Sequence, residues 1–440
     1  MTGLDTSLDA IDLAKAGAEL YALARELYPV CRSITGDGIR ETLRTIRREI
    51  PLQIHEVKSG TKVFDWEVPK EWNIRDAYIK DASGRRIVDF HEHNLHVVNY
   101  SVPVQAEISL EELQPHLHSL PDHPDRIPYR TSYYQENWGF CVSDKIRQTL
   151  NESKYEVGID STLANGHLSY GEFYLEGRSR DEVLISVHAC HPSLANDNLS
   201  GVVVATALAK ILMEHERRYS YRFLFIPGTI GAITWLALNR ETASRVRHGL
   251  VLTCVGDAGG FHYKKSRRGM AEIDRVMAQV LRHSGEPFQI LDFSPYGYDE
   301  RQYCSPGFDL PVGCLMRSVW GTFPEYHTSA DNLDFIHPEK LAGSLQLSAS
   351  AVRVLEADRR YINQNPFCEP QLGKRGLYRS TGGESISEQV NARLWVLNFS
   401  DGKNSLLDIA ERSGLPFGSI QSAARVLQDS GLLAEAVATS

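Results

Sequence analysis

The sequence predicts an α/β fold with a mostly parallel central sheet, a small β-rich insert and a short helical tail. Three observations lead there. From Thr131 onward, short β-branched apolar runs alternate with stretches at helical spacing, the pattern of successive βαβ units. Between LQIHEVKSG and HEHNLHVVNYSVPVQAEI, apolar and polar residues alternate, with turn signals at SGT, DASG and HEHN. Beyond INQNPFCEPQLGKRG the chain becomes three short amphipathic segments, SISEQVNARLWVLNF, SLLDIAERSGL and GSIQSAARVLQDSGLL.

Taken in chain order, the N-terminal stretch MTGLDTSLDAIDLAKAGAELYALARELY is acidic and has helical periodicity. A signal peptide would be basic and then apolar, so a cytoplasmic protein is expected. A helix to about Leu43 opens the α/β domain (residues 1–43 and 131–365), the insert takes 44–130, and PHLHSLPDHPDRIPYR leads back to the sheet. A helix over His337 to Arg360 closes that domain. The tail, 376–440, ends in two segments joined by a Gly-Leu-Pro turn, the pattern of a helix-turn-helix.

Candidate chemistry gathers where strands end. EVLISV (Glu182 to Val187) reads as a buried strand, GVVVATALAKILMEHER after it as a helix, and HACHPSLANDNLSG lies between them. That junction puts His188 at a strand's C-terminal end and Asp197 in the following loop, where open α/β sheets place ligand sites. Three later runs also end in polar groups: RFLFIPGTIG, HGLVLTCVGD with Asp257, and the stretch after PVGCLMRS reaching EYHTSADNLD with His327. Divalent metals take two to four ligands from His and carboxylate, and strand ends of one sheet can converge on one point. His188, Asp197, Asp257 and His327 form such a set. Four separately satisfied polar residues are the alternative.

At these residues the chain resembles the zinc aminopeptidase-like family, peptidase clan MH. His188 matches that family's first ligand, Asp197 in NDNLSG its metal-bridging aspartate, Asp257 in VGDAGG its later strand-end aspartate, and His327 in YHTSADNLD its last histidine. The resemblance implies an aminopeptidase-like three-layer fold and zinc as cofactor. Two departures qualify it. Cys190 stands where the family has the aspartate that orients the first histidine, and Gly228 and Thr229 stand where it has a Glu-Glu pair. A missing base typically costs ~10²- to 10⁴-fold in rate, so ordinary aminopeptidase activity is expected to be weak, and one zinc ion is expected rather than two. The motifs LYPVCRSITGDGIRETL, VFDWEVPKEWNIRDAYI, PYRTSYYQENWGFC and YDERQYCSPGFDLPVG resemble a subgroup often linked to polysaccharide or natural-product biosynthesis, with an inserted small domain and a winged-helix-like tail.

Within YDERQYCSPG, Glu300 is the candidate replacement base and Arg301 the candidate clamp for a carboxylate or phosphate, with Asp299 beside them. Tyr326 is a candidate oxyanion donor and Glu325 a weaker base. Two functions follow: a metal-dependent hydrolase acting on a small amide or peptide-like substrate, or a non-catalytic scaffold that keeps the metal site.

Composition bounds both readings. In 440 residues, 42% hydrophobic and 23% charged content is ordinary for a globular protein of more than one domain. No apolar run approaches the ~20 residues of a membrane span. Seven scattered cysteines show no CxxC pair, which argues against a disulfide framework and for a reducing compartment. Net charge is −9, and from Gly376 onward five Lys/Arg face seven Asp/Glu. A phosphate-reading module should be basic, so the tail is expected to dock protein, a second copy of this chain being the simplest partner, and not nucleic acid.

Overall fold

The computed structural model describes residues 12–377 and 387–436. These divide into two compact units, residues 1–271 with 287–346, and residues 272–286 with 347–440.

An eight-stranded mixed sheet organises the first unit. Its strands in chain order are β1 (Gln53–Lys58), β2 (His167–Leu175), β3 (Glu182–His188), β4 (Ser220–Ile226), β5 (Val246–Leu252), β6 (Phe261–Lys264), β7 (Phe288–Leu291) and β8 (Val312–Met316). Across the sheet they run β1-β2-β4-β3-β5-β8-β6-β7. The four central strands, β4-β3-β5-β8, are parallel. Strands buried on both faces must be apolar throughout, and every residue of β3 and β4 is buried. Arg222, the charged residue of β4, is tolerated because both Glu182 carboxylate oxygens accept from its guanidinium, at 2.7 and 2.9 Å.

Helices cover the sheet. The expected first helix is two, α1 (Leu13–Leu27) and α2 (Asp37–Glu49), with LYPVCRSIT between them. Helix α3 (Gly201–Met213) buries Val202, Val203, Val204, Leu208 and Leu212, each side chain contributing about 1.5–3 kcal/mol. Helix α4 (Ile230–Leu238) buries Trp235. The parallel register sets His188 opposite Ile226 and Ser186 opposite Val251, so the segments leaving β3, β4 and β5 emerge at one edge.

The insert is a four-stranded antiparallel sheet, Arg86–Asp89, Glu71–Lys80, Lys154–Ala164 and Val104–Ser109 in spatial order. Its composition differs from the expected 44–130 at both ends. Gln53–Lys58 pairs with β2 in the large sheet, while Lys154–Ala164 pairs with Glu71–Lys80 and Val104–Ser109. Alternation marks a strand but not its partner, which here is distant in sequence. Of the tryptophans in the signature loops, Trp72 is buried and donates from Nε1 to the Ser101 carbonyl at 2.8 Å, whereas Trp66 is 46% exposed.

The second unit holds α5 (Glu272–Arg282), the C-terminal part of α6 (Pro338–Ala357), then α7 (Glu388–Phe399), α8 (Leu406–Ser413) and α9 (Phe417–Asp429). A three-stranded sheet, ordered Asp401–Ser405, Arg360–Asn363, Leu433–Glu435, joins them. Ile362, expected in a connector, is therefore in a strand, and this small sheet begins upstream of residue 376. Ser405 and Asp408 cap α8 reciprocally, and Gly414 ends it at φ 70°. Arg275 of α5 reaches Asp408 at 2.5 Å and also pairs with Glu411.

Candidate metal centre

Asp197 is the hub of the edge where β3 and β5 end. It is fully buried, and each oxygen meets an imidazole: Oδ1 is 2.8 Å from His188 Nε2 and Oδ2 is 3.0 Å from His327 Nε2. His191 completes the group. One donor atom each of His188, His191 and Asp197 lies within 4.8 Å of the others, and the His191 ring centroid is 5.2 Å from that of His327. His191 Nδ1 is buried without a hydrogen-bond partner, a position that a native fold rarely leaves unexplained.

Electrostatics keep these donors ready. Burial alone would raise the Asp197 carboxyl, but His191, with hydrogen bonds from His188 and His327, holds it well below the usual carboxylate range. Burial pushes the His191 imidazole well below its ordinary value, against the pull of Asp197, which favours the neutral ring that a metal ligand needs. Three imidazoles and a carboxylate are a donor set that zinc accepts.

The supporting contacts come from three segments. Asp331 accepts from the backbone N–H groups of Asn196 and Asp197 at 2.6 and 2.9 Å, fixing the loop. Asn198 donates to the Leu252 carbonyl at 2.9 Å and its Oδ1 accepts from Gly201 N–H at 3.1 Å. A Cβ on Gly201 would lie 2.5 Å from both Asn198 Oδ1 and the Leu252 carbonyl oxygen, which explains glycine in NDNLSG. Tyr298 donates to Asp197 Oδ2 at 2.7 Å and stacks on His188 with centroids 4.1 Å apart. Burial pushes the Tyr298 phenol well above its ordinary value, so it remains a donor.

The other expected site residues lie as follows. Asp257 does not join the cluster: its carboxylate accepts from Asn196 Nδ2 at 2.8 Å, Gly259 N–H at 2.7 Å and Ser318 Oγ at 2.6 Å, bracing the residue before Asp197. Glu300 is buried with Oε1 held by Lys264 Nζ at 2.8 Å, while its Oε2 is without a hydrogen-bond partner. Arg301 Nε is buried without a hydrogen-bond partner. Tyr326 stacks on His327 at 3.9 Å, and its hydroxyl is 3.1 Å from that of Tyr298. Cys190 Sγ reaches the Gly228 carbonyl at 4.0 Å, and burial pushes its thiol up to about 12. His191 and Tyr298 were not singled out from the sequence. The His-x-x-His spacing of HACH was a usable signal for the first; no local signal marks the second.

The pattern of a domain of unknown function, DUF4910, matches residues 21–358. The chain belongs to this DUF4910 family. A winged helix-turn-helix pattern matches residues 359–435, so the tail is a winged-helix domain that starts earlier than residue 376. A Clostridium acetobutylicum protein whose name joins polysaccharide biosynthesis to an aminopeptidase-like domain is 54% identical over 415 residues, 94% of this chain and 95% of that protein. A crystal structure from the same organism, named as a peptidase, superposes at TM-score 0.93 with 50% identity, covering 98% of this chain and 99% of the other. A zinc aminopeptidase from Bacillus subtilis, TM-score 0.56 at 14% identity, covers 78% of this chain and 95% of its own. A peptidase M28 precursor from Shewanella amazonensis, TM-score 0.56 at 15% identity, covers 80% and 97%. At such identities these last two establish the fold: this member of the family is aminopeptidase-like α/β with a C-terminal winged-helix domain. No helix among the described residues is long and apolar enough to cross a membrane.

Proposed function

We propose that this chain is a zinc-dependent hydrolase of a small amide or peptide-like substrate in polysaccharide or natural-product biosynthesis. The observation that carries this reading is the convergence of His188, His191 and His327 on the buried Asp197 carboxylate. These four residues would hold one zinc ion, which when bound polarises an amide carbonyl and acidifies water. Asp257 braces the loop and is not a ligand in this reading. Tyr298 orients the Asp197 carboxylate, and the Tyr326 hydroxyl, which donates to Tyr298 here, would turn from it to donate to charge developing on a carbonyl oxygen.

Metal analysis of protein purified without added zinc tests the first half. About one equivalent is expected, and less than ~0.3 equivalents of any transition metal would remove the basis for the reading. A panel of amino-acid anilides and acylated amino sugars tests the second. The missing carboxylates at Gly228 and Thr229 favour a second reading, a non-catalytic binding protein; metal bound at full stoichiometry with no turnover of any substrate would select it.

The same reading places the protein in a reducing cytoplasm, supported by seven free thiols. The winged-helix domain serves protein docking or self-association in this proposal, supported by its acidic balance.

A further inference from the structure

We infer that Asp299 performs the proton transfer that a glutamate at position 228 would otherwise perform. The inference rests on the hydrolase reading above.

The geometry at Gly228 leads to it. A Cβ built on Gly228 would lie 3.1 Å from His188 Cβ, 3.5 Å from His188 Cγ and 3.7 Å from Asp299 Oδ2. A side chain at 228 would thus start beside the first metal-site histidine and meet the Asp299 carboxylate, which comes from a different segment of the chain. Asp299 is fully buried, and neither of its oxygens has a hydrogen-bond partner. An unsatisfied buried carboxyl is costly, and functional sites are where such groups are kept. Its neighbours show that the position is held. Tyr298 is fastened to Asp197 and His188, while Glu300 is fastened to Lys264. Of the two adjacent acids, Glu300 has Oε1 in an ion pair with Lys264 and Oε2 without a hydrogen-bond partner, whereas neither oxygen of Asp299 is hydrogen-bonded.

Burial, reinforced by the charge of Glu300, pushes the Asp299 carboxyl well above the usual carboxylate range, against the pull of Arg301. The other ionisable groups around it are Cys190, Tyr303 and Cys314 of β8. A cation held by the proposed ligands would favour the ionised form of a nearby carboxyl, and a carboxylate can take a proton and return it. In the reaction, the oxygen of a water molecule bonds to the amide carbonyl carbon as its proton passes to Asp299. The C–N bond then breaks, the carbonyl re-forms, and the proton on Asp299 goes to the departing nitrogen. One water is consumed, a carboxylic acid and an amine leave, and Asp299 returns to its starting state.

The test is an exchange of positions in the full-length, metal-loaded protein. Asp299→Ala should keep its metal content and lose about 10²- to 10⁴-fold in turnover. Gly228→Glu alone should lower Tm, because its side chain meets His188 and a second carboxylate. The Gly228→Glu/Asp299→Ala pair should regain both Tm and turnover relative to the respective single variants. Turnover by Asp299→Ala within about threefold of the parent, at a ceiling well short of the loss expected for a base, would overturn the inference, as would a double variant no more active than Asp299→Ala. A readout without substrate separates this from failure of the hydrolase reading. The visible spectrum of the cobalt-substituted protein should change with pH at an inflection that Asp299→Asn moves or removes. If the parent hydrolyses nothing, the hydrolase reading falls; a moved inflection still supports Asp299 as the group exchanging protons at the site, and an unmoved one overturns it.

Discussion

Tyr298 shows most directly what a single residue does at this site. Its hydroxyl donates to the same Asp197 oxygen that faces His327, and its ring stacks on His188, so it orients two of the proposed ligands at once. Partners behind a metal ligand are worth about 10- to 100-fold in metal affinity. Tyr298→Phe, which keeps the ring and removes the hydroxyl, should therefore weaken zinc binding by about that factor in competition with a chromophoric chelator; unchanged affinity would show that the hydroxyl orients nothing. His191→Ala should lower zinc stoichiometry itself, and full loading of that variant would remove His191 from the ligand set. His188, Asp197 and His327 could be picked out from the sequence because each follows an apolar strand. Their meeting at one carboxylate could not, and neither could the engagement of Asp257 and Glu300 by Ser318 and Lys264, because these partners come from remote segments.

Two elements decide how firmly their surroundings are held. Helix α3 begins at Gly201, where an added methyl would press 2.5 Å against the Leu252 carbonyl oxygen of β5, backbone that cannot swing away. Gly201→Ala should cost about 1–3 kcal/mol of stability, read as a lower Tm, and an unshifted transition would mean that the loop relaxes freely. Helix α8 depends on its capping box and on Arg275, so Asp408→Ala should cost about 1–2 kcal/mol at neutral pH. Burial opposes ionisation of Asp408, but the Ser405 backbone and Arg275 lower its carboxyl below 3.8. A lowered carboxyl stabilises the fold above its unfolded value and loses that effect as pH falls through the folded one. The deficit of Asp408→Ala should accordingly shrink below about pH 4, and a constant deficit would assign the effect to packing.

At the scale of the whole chain, the winged-helix domain raises the question of nucleic acid. Helix α9, in the helix-turn-helix position, carries Arg425 as its basic residue and ends in Asp429, and α8 adds Asp408 and Glu411 against Arg412. Duplex binding relies on neutralising phosphates, so fluorescence anisotropy with random-sequence DNA should show no binding tighter than about 10⁻⁴ M at physiological salt. Binding that strengthens steeply as salt falls would contradict the charge argument.

By itself the sequence determined the α/β class, the parallel centre of the sheet and an acidic helix-turn-helix tail, and it offered His188, Asp197, Asp257 and His327 at strand and loop ends. These are properties of local periodicity, composition and short-range order, which a chain carries wherever it folds. Only the tertiary structure decided that Gln53–Lys58 belongs to the large sheet and Lys154–Ala164 to the insert, that His191 and Tyr298 stand at Asp197, and that Asp299 rather than Glu300 lies beside the space left by Gly228. Each of those depends on which distant segments the packed core brings together, and the identity of a residue does not encode its partner across the sheet.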